Sequence, residues 1–201
     1  MSVNLQKGQK ISLVKPGSSG LRKIMVGLGW DEVEQKRRLF GPKPQDIDCD
    51  ASVILCGKDG KLVSSDIKNS TVYFGNLRHP SGAIVHQGDN LTGAGEGDDE
   101  QIMVDLQALP GEVDKLVFVV NIYDANVRSQ HFGLIRNAFI RIVDTNNRTE
   151  ICRFNLSEDY SGMTGMIVGE IYRYGNEWKF NAIGQGVRDA SRFGSLVKLY
   201  Q

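Results

Sequence analysis

A chain of 201 residues with 40% hydrophobic content can bury a sizeable core, which excludes an intrinsically disordered protein and suits one domain spanning 1–201. Its 24 basic and 24 acidic residues cancel, which argues against a nucleic-acid partner or a coat for an anionic membrane. No signal-peptide pattern opens the chain, no aliphatic run approaches the length of a membrane span, and Cys49, Cys56 and Cys152 form no CxxC pair, so a cytoplasmic protein with reduced thiols is expected.

Taken in chain order, short segments rich in β-branched residues predict strands over 11–14, 23–30, 48–56, 71–74, 84–86, 101–106 and 115–123. Further strands are predicted over 138–143, 150–155, 166–174 and 178–183. Gly175-Asn176-Glu177 reads as a hairpin turn, and 144–148, with its paired asparagines, as a second. The segment 32–44, with Lys36-Arg37-Arg38 and two prolines, reads as a long flexible loop, and 187–199 as a loosely periodic terminal helix. Many short strands, 23 glycines and few helix signals predict an all-β fold, a β-sandwich of two mainly antiparallel sheets.

The neutral total conceals an uneven distribution. Between Arg78 and Lys115 there is no lysine or arginine but eight carboxylates: Asp89, Glu96, Asp98, Asp99, Glu100, Asp105, Glu112 and Asp114. The rest of the chain then holds 24 basic against 16 acidic residues, an asymmetry that marks a site or an interaction face as well as a solvated loop.

Two acidic constellations stand out. In 46–53, period two puts Asp46, Asp48, Asp50 and Ser52 on one strand face and Ile47, Cys49, Ala51 and Val53 on the other. Carboxylates about 6.6 Å apart on such a face repel by ~2.5 kcal/mol per pair at an effective dielectric near 20, which calls for a counter-charge. An EF-hand is excluded, because Ala51 stands where its glycine and Gly57 where its glutamate belong.

The second constellation, 88–100, reads GDNLTGAGEGDDE. It lacks a phosphate-loop pattern, and its five carboxylates would repel a phosphate. Carboxylates, the Asn90 amide, the Thr92 hydroxyl and the carbonyls of a glycine-rich backbone are oxygen donors of the kind a hard cation takes. Zinc is disfavoured, since His79, His86 and His131 are scattered and the cysteines unpaired. Magnesium, which takes fewer protein ligands, and a metal-free solvated loop stay open at this point.

At this motif the sequence resembles the TerD family of bacterial tellurium-resistance and stress proteins. The resemblance rests on Gly88 to Glu100, on the strand Asp46 to Ser52, and on the opening MSVNLQKG and VGLGW. FVVNIYDA, FGLIRNAFIR, GEIYRY, EWKF and GQG continue it to about residue 186. It implies a β-sandwich binding two calcium ions through loops at one end. It also implies a protein without enzymatic activity that works beside other tellurium-resistance operon proteins, with membrane association only through such a complex. Carried onto matching positions, it implies Asp46, Asp48, Asp50, Asp89, Asn90, Asp98, Asp99 and Glu100 as calcium-site residues, with Asp66 as a weaker match. Thr92 and Gly97 are expected to contribute backbone oxygen. Three departures are Glu96 in place of the usual Asp, the basic 32–44 loop, and the divergent tail 187–201. A metal-assisted hydrolase and a metal-free acidic interaction module are the competing readings. The hydrolase lacks clustered histidines, a nucleophile motif and a basic pocket.

Overall fold

In the computed structural model the described residues are 2–13, 21–32, 46–89 and 97–201. The long loop expected at 32–44 falls, beyond Glu32, outside them, as do Asn90 and Thr92. Twelve strands are seen among the described residues: β1 (Val3–Leu5), β2 (Lys10–Ser12), β3 (Lys23–Glu32), β4 (Cys49–Cys56), β5 (Thr71–Val72) and β6 (Ile84–Asp89), then β7 (Glu100–Asp105), β8 (Lys115–Ile122), β9 (Ile135–Asp144), β10 (Thr149–Asn155), β11 (Gly165–Tyr174) and β12 (Glu177–Val187). Three short helices join them: α1 (Ile67–Ser70), α2 (Ala125–Arg128) and α3 (Phe193–Val197).

The strands form two six-stranded sheets, ordered β1-β10-β9-β3-β7-β6 and β2-β12-β11-β8-β4-β5. Every named pairing is antiparallel except β1 with β10. Alternation along each strand explains the sandwich. Ile24, Val26 and Leu28 of β3, Ile102 and Val104 of β7, and Ile140 and Ile142 of β9 enter the same core as Ala51, Val53 and Leu55 of β4 and Leu116, Phe118 and Val120 of β8. Full burial of one such side chain contributes roughly 1.5–3 kcal/mol.

The second sheet is covered on its outer face as well. Ile54, Cys56, Val117, Val119 and Ile167 point away from the main core and meet Ala190, Phe193, Leu196 and Val197 from the C-terminal segment. Burial on both faces is why β8 reads as an unbroken aliphatic run rather than an alternating one. The terminal helix is shorter than the predicted 187–199. β12 runs to Val187, and α3 begins only at Phe193 and continues as a 3-10 turn over Lys198–Tyr200. Pairing of Val187 with Gly165 keeps that first residue in the sheet, and 188–192 belong to neither strand nor helix.

Both expected hairpins are present. Tyr174 pairs with Glu177 around Gly175, whose φ is +60°. Asp144 pairs with Thr149, and the Asp144 carboxylate accepts from the Asn146 amide at 3.0 Å.

Candidate functional site

The acidic residues lie where one end of β7 meets β3, and the local backbone explains their positions. The Asp99 amide donates to the Leu28 carbonyl at 2.8 Å, and the Trp30 amide donates to Asp99 Oδ2 at 2.7 Å. The Asp99 side chain thus extends the β3–β7 ladder by one bond beyond the Leu28–Glu100 pair. On the other side of β3 the register with β9 shifts between Gly29 and Asp31, which displaces Asp31 from regular alternation. There Asn137, held in the left-handed region at φ 54°, donates from Nδ2 to Asp31 Oδ2 at 2.7 Å.

Asp31, Asp99, Gly97 and Asn137 line one cavity of about 320 Å³, with Trp30 and Phe139 on its walls. Gly29 allows this approach, since a Cβ there would run into the Phe139 ring and stand 3.0 Å from the Gly97 carbonyl oxygen. Burial pushes the Asp99 carboxyl above its ordinary value; the Trp30 amide opposes that, and the charges of Asp31 and Asp98 reinforce it. The cavity therefore holds a carboxylate that a nearby positive charge would favour. Arg141 and Arg153 border it too, but both have other attachments. Arg141 pairs with Asp98 and Glu150, and Arg153 stacks at 3.5 Å over the Phe139 ring.

Asp98 and Glu100, the neighbours of Asp99, face other partners. Asp98 is fully buried at its side chain and receives Arg141 Nε at 2.7 Å and Nη2 at 2.9 Å, with Gln101 Nε2 at 3.1 Å. Glu100 points across the core to the second sheet, where its carboxylate accepts from the Ala51 amide. His86 reaches the same residue, with Nε2 at 3.2 Å from the Ala51 carbonyl and Nδ1 accepting from the Gly88 amide at 3.0 Å. That pair of partners assigns the neutral Nε2–H tautomer. Together Glu100 and His86 satisfy the edge of β4 at Ala51, beyond the short β5 pairing at Val53 and Ile54.

The remaining predicted residues are dispersed. Asp46 and Asp48 are exposed ahead of β4, which starts at Cys49, so the expected ladder includes only Asp50 and Ser52 as strand residues. The predicted alternation still holds, with Ile47, Cys49 and Ala51 in the main core. Arg128 Nη1 stands 3.9 Å from Asp48. Asp50 lies on the outer face of the second sheet, 3.5 Å from Asn121 Nδ2. Asp66 caps α1, accepting from the Lys68 amide at 3.0 Å and Asn69 Nδ2 at 3.2 Å. Asp89 pairs through its backbone with Glu100. Among the described residues no three His, Cys, Asp or Glu side chains are grouped to hold a metal ion. Sequence reasoning passed over Asp31 and Asn137, which share the Asp99 cavity. Asp31 follows Trp30 in a strand with no acidic motif around it, and only the register shift in β3 reveals it.

Comparison with known proteins gives a consistent picture. A family model described as the TerD domain matches residues 1–200, past residue 186 where the recognisable motifs end. Stress response protein SCP2 of Bacillus subtilis (strain 168) is 50% identical over 204 residues, covering 100% of both chains. Tellurium resistance protein TerD of Serratia marcescens is 47% identical over 186 residues, covering 92% of this chain and 91% of the relative. The crystal structure of a homologue of telluride resistance protein (TerD) from Streptomyces coelicolor A3(2) is 21% identical. It shares the fold at a TM-score of 0.58 over 85% of this chain and 92% of its own. Neither named relative carries an enzyme's name. Among the described residues no helix is long and apolar enough to cross a membrane.

Proposed function

This chain belongs to the TerD domain family of tellurium-resistance and stress-response proteins, and from that premise we propose that it is a non-enzymatic, calcium-dependent module of a larger stress-response complex. The observation that carries the calcium reading is the Asp31–Asp99 cavity. Its side chains offer carboxylate and amide oxygen, and the Gly97 carbonyl adds a neutral oxygen, which is the donor chemistry of a hard cation. Asp99 is destabilised as an anion by burial and by Asp31, so a bound cation would find its main ligand already strained.

In this reading Asp99 and Asp31 hold the ion, and Gly97 and Asn137 complete it from the backbone and the first residues of β9. The adjoining acidic stretch, with Asp89, Asn90 and Thr92, supplies further oxygens. A second ion, as the family resemblance implies, would draw on exposed Asp46 and Asp48 ahead of β4. When bound, calcium would supply charge neutralisation and cross-linking of segments, not chemistry on a substrate. The ion-bound face would then be presented to other tellurium-resistance proteins, with any membrane association made through that assembly. The partner half of this reading rests on the names of the relatives.

One observation favours a metal-free alternative. Asp98, Glu100 and Asp66 already have protein partners, so part of the acidic motif serves the fold without an ion. Isothermal titration of chelator-stripped protein with calcium, and with magnesium as control, separates the two. Saturable calcium binding that is weak for magnesium and lost in Asp99→Asn and Asp31→Asn supports the first reading. A folded wild-type protein that takes up no calcium leaves the acidic interaction module.

A further inference from the structure

A second cavity with its own chemistry lies away from the acidic loops, on the outer face of the second sheet. This cavity, of about 510 Å³, opens between the sheet, α1 with the residues that follow β5, and α3. Aromatic side chains dominate its walls: Tyr73, Phe74, Tyr123 and Phe193. Tyr73 stacks on Phe193 with centroids 4.9 Å apart and meets Phe74 edge-on at 5.3 Å. At the sheet, Asp50 of β4 and Asn121 of β8 sit opposite each other as a register pair.

Asn121 is 1% exposed, and its Oδ1 has no hydrogen-bond partner among the described residues. Its Nδ2 leans toward the Asp50 carboxylate at 3.5 Å, which fixes the amide orientation, because a flip would set oxygen against oxygen. An orphaned buried acceptor opposite a carboxylate calls for a donor, and leaving it unmet costs stability. A divalent ion suits the place poorly. Asp50 is the one carboxylate side chain among the described lining residues, too little charge for a divalent ion, and of the two cations at the rim, Arg192 and Lys198, the first stands 3.5 Å from Asp124.

From this juxtaposition we propose that the cavity binds a small organic ammonium: a primary amine on an aromatic or aliphatic body. The ammonium donates to the Asp50 carboxylate and Asn121 Oδ1, while the body packs against the cluster of Tyr73, Phe74 and Phe193. A carboxylate combined with aromatic faces is the composition that recognises such cations, through charge-assisted hydrogen bonds and the ring quadrupoles. A volume of about 510 Å³ lies in the range of ordinary small-molecule pockets. The proposal is independent of the calcium reading, which centres on Asp99.

The test is a titration of the full chain, in chelator, with 2-phenylethylamine, followed by NMR at the Asn121 side-chain amide and the Tyr73 and Phe193 rings. Saturable shifts at these groups are expected, with 2-phenylethanol and 3-phenylpropanoate weaker by about tenfold or more. Asp50→Asn should weaken the amine by a similar factor. Phe74→Ala, at a residue 56% exposed, should weaken it while leaving the melting curve unchanged. Asp99→Asn should leave amine binding intact even where it abolishes calcium uptake, so the two readings fail separately. Absence of saturable shifts in the folded wild-type protein overturns the proposal, ordered water then satisfying Asn121. Equal binding of the alcohol, or displacement of the amine by calcium in the Asp99→Asn protein, overturns it too.

Discussion

Arg141 holds Asp98 by two parallel contacts, Nε to Oδ1 at 2.7 Å and Nη2 to Oδ2 at 2.9 Å, with the carboxylate fully buried and the guanidinium about a quarter exposed. The pair ties β9 to the residue two before β7, on the far side of β3. Asp98 raises the Arg141 pKa through that bond, against the opposing effect of burial. Geometry of this kind makes the pair structural, because a buried carboxylate without its guanidinium is an uncompensated charge. Arg141→Met should therefore cost about 3–5 kcal/mol in urea unfolding. The double variant Arg141→Met/Asp98→Leu should recover most of that loss. Equal stability of Arg141→Met and wild type would contradict the assignment.

Gly27 of β3 makes room for the same carboxylate. A Cβ at that position would overlap Asp98 at both carboxylate oxygens, and the side chain has no space to retreat because Arg141 clamps it. Gly27→Ala should destabilise by about 1–3 kcal/mol, the ordinary cost of overpacking. In an Asp98→Ala/Arg141→Met background the same substitution should become nearly neutral. A denaturation cycle reads this coupling directly; additive effects would mean that the glycine serves some other purpose.

These contacts define where sequence reading works and where it stops. The sandwich was legible because alternation at 23–30, 101–106 and 138–143 points its apolar residues into one core, as Ile24, Ile102 and Ile140 show. β1 escaped notice, since Val3–Leu5 is three residues long, buries only Leu5, and gains its place by parallel pairing with β10. The tail was misread as helix from 187 because the strand character of Val187 comes from pairing with β11, which local propensity does not carry. The acidic motif was legible as a motif, but not its division of labour. Asp66 carries the sequence mark of a helix cap, with Lys68 and Asn69 placed to donate. Asp98 and Glu100 differ from Asp99 in their partners, Arg141 and the Ala51 amide against the Trp30 amide. Asp31 had no sequence signal, since its role depends on a register shift between β3 and β9.

The three cysteines give an independent check on the packing. Cys49, Cys56 and Cys152 are all buried, and none forms a disulfide among the described residues. Burial pushes the thiols of Cys56 and Cys152 up to about 12, so at pH 8 neither presents thiolate. Native protein should show no fast reaction with a disulfide reagent such as DTNB, and all three thiols should react after denaturation. Rapid labelling of Cys56 or Cys152 in the folded state would mean that the outer helix or the β1–β10 pairing opens readily.

Asp99 makes the pH dependence specific. Burial, aided by Asp31 and Asp98, raises its folded pKa above the 3.8 of an ordinary aspartate. Between those two values the folded state holds the proton more often than the unfolded state does. Stability from this group is therefore fully present below the unfolded value and is lost as pH rises through the folded one. At pH 7, in chelator, the folded protein carries a carboxylate it would rather protonate. Asp99→Asn keeps an oxygen for the Trp30 amide and removes the charge, so the chelated variant should melt above the chelated wild type at pH 7. Near pH 3 the two should melt together. Calcium should raise the melting point of the wild type alone, since it acts on the charge that the variant lacks. A chelated variant that melts well below wild type at pH 7 would instead make Asp99 a structural anion like Asp98, and would remove the electrostatic case for a cation in that cavity.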